Sequence, residues 1–137
     1  MARHGYLFSI ALAALVGPLW LAGAAAQEPD CGSPQTQLDM TQCASEDYRI
    51  ADAELNARYG AVMRRYESNE EGRRMLQDAQ RAWIRFRDAE CALATLSVRG
   101  GSIEPMIRAQ CLQELTETRA RQLEELAQCE EGDLSCL

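Results

Sequence analysis

Cys31, Cys43, Cys91, Cys111, Cys129 and Cys136 are the residues of this chain with the plainest chemistry. An even set of cysteines in a short chain can form disulfides or hold a metal. Zinc sites draw on closely spaced cysteine pairs or on cysteine with histidine. No C-x-x-C pair occurs here, and the single histidine is His4. Disulfides are therefore expected, with no free thiol. Six cysteines allow fifteen connectivities, and spacing alone does not choose among them.

The remaining reactive side chains form no catalytic constellation. Downstream of His4 there is no imidazole, and lysine is absent throughout. That removes the commonest general base as well as Schiff-base and Ser-Lys chemistry. Carboxylates come as neighbours, in Glu46-Asp47, Glu70-Glu71, Glu124-Glu125 and Glu130-Glu131. Adjacent residues on a helix point to different faces, so these pairs read as solvated surface. Gly100-Gly101 has neither the spacing nor the lysine of a phosphate-binding loop. A non-catalytic protein without cofactor or metal is the expectation.

The N-terminus says where such a protein would work. Arg3 and His4 precede an apolar run from Tyr6 to Ala22, and Ala24-Ala25-Ala26 follows. This is the pattern of a cleaved signal peptide, residues 1–26, with cleavage before Gln27. Gly17-Pro18 near the end of the run argues against a retained anchor. Leu21-Ala22-Gly23 opens like a lipobox, but Ala24 stands where the lipidated cysteine would be. The expected product is one periplasmic or secreted domain, residues 27–137, free of the membrane. Its charge is −7 for the whole chain and −8 once Arg3 leaves with the leader. An acidic surface disfavours nucleic acid and attracts a cationic protein partner.

The elements that must position these residues are helices. Met40, Ala44, Tyr48, Ala51, Leu55, Tyr59, Val62 and Tyr66 advance by three or four, which predicts a first helix from about Asp39 with Thr36 or Asp39 as its cap. Ser68-x-x-Glu71 has the form of a capping box and predicts that one helix ends and the next starts around Ser68-Asn69. The second helix, through Met75, Leu76, Ala79, Trp83, Phe86, Cys91 and Ala94, is expected to end at Gly100-Gly101. Ser102 is expected to cap a third helix with Pro105 in its first turn, running through Ile107, Cys111, Leu115, Leu123 and Leu126.

The fold class that follows is all-α, a small three-helix up-down-up bundle stapled by disulfides. That topology gathers Cys31, Cys43, Cys91 and Cys111 at one pole, where two bridges are expected in an undetermined pairing. Cys129 and Cys136 are left at the other pole and are expected to pair. Trp83, Phe86, Tyr48 and Tyr59 read as core aromatics. Asp52, Arg87 and Asp88 read as partners in interhelical ion pairs.

One set of residues resembles a known family. Cys43, Ala51-Asp52-x-x-Leu55-Asn56-x-x-Tyr59, Gln80-Arg81-Ala82-Trp83-x-x-Phe86-Arg87-Asp88-Ala89-x-Cys91, Gly100-Gly101-Ser102, Cys111, Thr118 and Arg119 are similar to the LprI-like lysozyme inhibitors. The resemblance spans about residues 31–126. It implies an exported helical domain and lysozyme inhibition for at least some members, many of which have no assigned function. The founding type is lipid-anchored, unlike this chain, and Cys129 and Cys136 fall beyond the shared pattern. A lysozyme cleft works with two carboxyl groups, so an inhibitor that blocks it should present a donor. Arg99, beside Gly100-Gly101, is the residue nominated for that contact. A periplasmic accessory or chaperone-like helical protein, without lysozyme activity, is the alternative reading.

Overall fold

The computed structural model describes residues 28–130 and Gly132. Residues 1–27, which hold the expected signal peptide, and residues 131 and 133–137, with Cys136 and its expected bridge to Cys129, lie outside the described residues. Three helices follow in order: α1 (Gln37–Arg65), α2 (Glu70–Ala94) and α3 (Glu104–Gln128), with a 3-10 turn at Leu96–Val98 between the last two. None of them is long and apolar enough to cross a membrane.

The start of α1 is capped as its sequence predicts. The Thr36 hydroxyl accepts from Asp39 N–H at 3.0 Å, and the Asp39 carboxylate accepts from Thr36 N–H at 3.0 Å. This reciprocal box satisfies two backbone donors that the helix itself leaves unpaired. Arg64 and Arg65 close α1, where positive charge suits the carbonyl end of the helix dipole.

Three boundaries differ from expectation, each for a local reason. Ser68 does not cap α2. The turn closes by Asn69 N–H donating to the Tyr66 carbonyl, and Asn69 is then the first extended residue; its side chain accepts from Gly72 N–H at 2.9 Å. Glu71 consequently falls one place short of the box position. Nor do the two glycines end α2. It stops at Ala94, where the Thr95 hydroxyl donates back to the Cys91 carbonyl at 2.9 Å, and the 3-10 turn intervenes. Gly100 instead makes the reversal, with φ +76, a conformation open to glycine without penalty. Ser102 is not the cap of α3. Ile103 holds that place without a side-chain bond, Pro105 stands in the first turn, and the Glu104 carboxylate reaches back to Gly100 N–H at 2.6 Å.

The core lies mainly between α1 and α3, which pack along most of their length, while α2 rests chiefly on α3. Its buried residues are Leu55 and Val62 from α1, Leu76 from α2, and Ala120 and Leu123 from α3. Tyr59, Met63, Tyr66, Trp83 and Leu126 close over them, partly buried. Arg58 to Glu124 at 3.2 Å ties α1 to α3 at the surface, and Arg119 donates to Gln80 at 3.2 Å between α3 and α2.

Two bridges stand at one pole, as the topology requires. Cys31 joins Cys43, pinning the lead-in to the second turn of α1, and Cys91 joins Cys111, binding the end of α2 to α3. Each closes a loop of modest length, which corresponds to about 3 kcal/mol of unfolded-state entropy. Cys129 is also disulfide-bonded, and no free cysteine occurs among the described residues.

One buried group stands out against this packing. Thr116 is fully buried in α3, and its hydroxyl has no hydrogen-bond partner among the described residues. An unsatisfied buried hydroxyl costs about 1–3 kcal/mol. Thr116→Val keeps the shape and removes that penalty, so a urea melt should show stability raised by about 1 kcal/mol. A loss of stability in Thr116→Val would mean that the hydroxyl is satisfied after all.

Candidate functional site

Part of each family motif meets in the cleft between α1 and α2: Asp52, Asn56 and Tyr59 from the first and Gln80, Arg81 and Arg87 from the second. Arg87 is its centre. Though charged, Arg87 is only 9% exposed. Its guanidinium lies 5.7 Å from the Tyr48 ring centre and 5.2 Å from that of Trp83, between an α1 aromatic and an α2 aromatic. It donates to the Asp88 carboxylate at 2.9 Å and faces Asp52 of α1 at 3.8 Å. Asn56, one turn on, donates to Asp52 at 2.9 Å and fixes its orientation. The guanidinium thus lies within cation–π distance of two rings while it pairs with two carboxylates, a set of contacts that its broad, forked head suits better than the compact head of lysine.

This arrangement has a local sequence cause. Trp83 and Arg87 are four apart on α2, while Tyr48, Asp52 and Asn56 follow at four-residue steps on α1, so each set shares a helix face. Of the interhelical pairs expected among Asp52, Arg87 and Asp88, the one between Arg87 and Asp52 is present, whereas Asp88 pairs with Arg87 within α2 itself. Burial pushes the Tyr48 phenol above its ordinary value, with Arg87 pulling the other way, so its hydroxyl stays protonated at neutral pH. Beside the knot, Asp52, Asn56, Tyr59, Gln77, Gln80 and Arg81 line an open groove of about 470 Å³. The aromatic expectation is only half met. Tyr48, Tyr59 and Trp83 are partly buried, whereas Phe86 points outward and is 54% exposed.

Arg99 stands elsewhere, in the exposed turn between the 3-10 segment and Gly100. No ion pair or hydrogen bond engages its side chain among the described residues. Leu96 and Ile103, both exposed, flank it on the same connection. The turn thus carries an exposed cation and two exposed apolar residues on one connection, and Cys91–Cys111 ties together the two helices that it joins. Nothing in the residue pattern marks Leu96 and Ile103 as uncovered, since apolar residues beside a turn usually fold inward. Among the described residues no group of three histidine, cysteine or acidic side chains is placed to hold a metal ion.

Comparison with known proteins agrees with this geometry. The family model described as "Lysozyme inhibitor LprI" matches residues 29–123, most of the chain. The chain belongs to the LprI lysozyme inhibitor family. Both cleft motifs and all four cysteines of the two bridges lie inside the matched span. An uncharacterised protein of Rhizobium meliloti (strain 1021) is 41% identical over 122 residues, covering 81% of this chain and 88% of the relative. YecT of Escherichia coli (strain K12), also uncharacterised, is 31% identical over 98 residues, covering 62% of this chain and 60% of the relative. Among solved structures, a DUF1311 family protein of Pseudomonas putida KT2440 superposes with a TM-score of 0.64 at 20% identity. That superposition spans 69% of this chain and 97% of the other, and it supports the helical fold.

Proposed function

We propose that this LprI family protein is an exported, non-catalytic inhibitor of a cationic lysozyme, and that the turn carrying Arg99 is the part that enters the enzyme's cleft. Family membership supports the activity. The observation that carries the choice of surface is the unengaged Arg99 guanidinium in an exposed turn, between exposed Leu96 and Ile103. Arginine framed by apolar contacts is a composition common at the energetic centre of interfaces. A carboxyl pair in a glycosidase cleft is a matching acceptor for a forked donor.

The acidic surface would act at longer range. A net charge of −8 after loss of the leader attracts a cationic enzyme and speeds encounter. The Arg87 knot has a different task in this reading: it holds α2, and with it the base of the turn, against α1. Rigid support of this kind limits the ordering cost of binding.

The experiment is a turbidity assay of wall hydrolysis with the oxidised protein and several lysozymes. Inhibition is expected at low salt, with association slowing as the Debye length shrinks from about 10 Å at 0.1 M to about 3 Å at 1 M. Arg99→Ala should weaken inhibition at least tenfold while the melting curve stays unchanged, because the side chain supports no packing. Full inhibition by Arg99→Ala would reject the contact. Failure to inhibit any lysozyme would reject the activity and favour an accessory or chaperone-like role.

A further inference from the structure

Helix α2 carries two apolar faces, and only one of them is used. Leu76, Trp83 and Cys91 turn toward the core. A second line runs Met75, Ala79, Ala82, Phe86, Ala89 and Leu93, with steps of four, three, four, three and four. Every member is exposed; Met75 and Leu93 are 65% exposed and Phe86 54%. Steps alternating between four and three are the a/d repeat of a two-helix seam, sustained here through almost the whole helix. Scattered exposed apolar residues need no explanation, but a continuous line in heptad register does.

We infer that this line is the interface for a second copy of the chain, with the two α2 helices side by side and antiparallel. The side chains select that arrangement. In a parallel, in-register pair each residue would meet itself, stacking Phe86 on Phe86 and leaving thin alanine layers that cannot close. In the antiparallel pair with its axis near Gln80 and Arg81, Met75 faces the second copy's Phe86, Ala79 faces its Ala82 and Ala89 its Gly72. The seam thus closes over the first two-thirds of the line, and Leu93 lies at its rim. Sulfur against an aromatic ring is a favourable contact, and the alanine layers let the helix backbones approach.

The flanking charges agree. In antiparallel pairing, the position just before each a residue lies beside the same position of the other helix. Those positions are Asp78 and Arg85, both exposed, and this register sets Asp78 against the second copy's Arg85 twice over. Shifting the axis to Ile84 would place Arg85 against Arg85. Asp78 is paired within its own helix to Arg81, an exposed pair of little strength, and can exchange partners freely. The seam is narrower than a standard interface of about 1,600 Å², so a reversible dimer with Kd on the order of 10–100 µM is expected.

Sedimentation velocity of the oxidised protein over a concentration series tests this. The wild type should pass from monomer to dimer in that range. Phe86→Glu should abolish the dimer, and circular dichroism should show its helices intact because Phe86 supports no core. Asp78→Arg and Arg85→Asp should each weaken association at least tenfold, and the two together should restore it. A wild type that stays monomeric throughout overturns the proposal, as does a dimer that survives Phe86→Glu. A double variant no tighter than the singles overturns it too, since the antiparallel register would then be wrong.

Discussion

Leu123→Ala is expected to destabilise the protein by about 3–4 kcal/mol, measured as the shift in a urea unfolding curve followed by circular dichroism. Leu123 is fully buried where α1, α2 and α3 meet, packed among Leu55, Val62, Leu76 and Ala120. Removing its branched end leaves a void that the surroundings cannot easily fill. The α1–α3 interface is long and continuous, so one site cannot collapse without moving both helices. Leu126 is only partly buried at the edge of the same cluster. Leu126→Ala serves as the internal comparison and should lose clearly less. Equal losses at both positions would place the core elsewhere along α3. In a domain of this size the Leu123 loss is a large share of the total, because whole-domain stability is commonly about 5–15 kcal/mol.

Arg87→Ala should lower stability by about 2–3 kcal/mol. Two aromatic contacts disappear together with the link from α2 to Asp52 on α1. The effect falls below that of breaking a wholly buried ion pair because Asp52 and Asp88 keep 41% and 48% of their side-chain exposure, so water can solvate them once Arg87 is gone. Arg87→Lys separates the contributions. It keeps the charge and loses the flat stacking surface, so it should recover roughly half the loss. If Arg87→Lys matched the wild type, charge alone would hold the cleft and the stacking would count for nothing. Because Arg87 lies well behind the Arg99 turn, the same variant tested against lysozyme reads how far inhibition depends on a rigid base.

Much of the fold can be read from residue spacing, and the misreadings share a cause. Helical period depends on local geometry, so the three helices were legible, and so was a cap near the start of α1. The choice between Thr36 and Asp39, and their reciprocal bonding, came only with the structure. The cap at Asn69 was not legible, because Ser68 and Asn69 are equally good caps, and the Tyr66 carbonyl in the intervening turn decides between them. Phe86 shows the deeper limit. The lines through Met75–Phe86–Leu93 and through Leu76–Trp83–Cys91 have the same helical repeat, and nothing within α2 says which one faces inward. That choice belongs to α3, which arrives later in the chain. Disulfide pairing was open for a similar reason: four cysteines at one pole permit several connections until the helix ends are placed. Arg99 could be named from its turn, but its apolar frame of Leu96 and Ile103 required the three-dimensional arrangement.

The division of labour among the helices also bears on how quickly the protein can assemble. Bundles of three helices usually fold fast because each helix finds its sequence neighbour first. Here the principal interface joins α1 to α3, the two helices that are not neighbours, while α1 and α2 meet only lightly. Everything between Arg65 and Glu104 must therefore be looped out before the main core can close, and the entropy of that closure falls on the rate-limiting step. The Tyr66–Asn69 turn offers little early reward. The Cys91–Cys111 bridge shortens the search only for α2 and α3. The domain is therefore expected to fold more slowly than bundles whose main interface joins neighbouring helices, and stopped-flow refolding of α1, α2 and α3 variants should show the largest rate effects in α1 and α3.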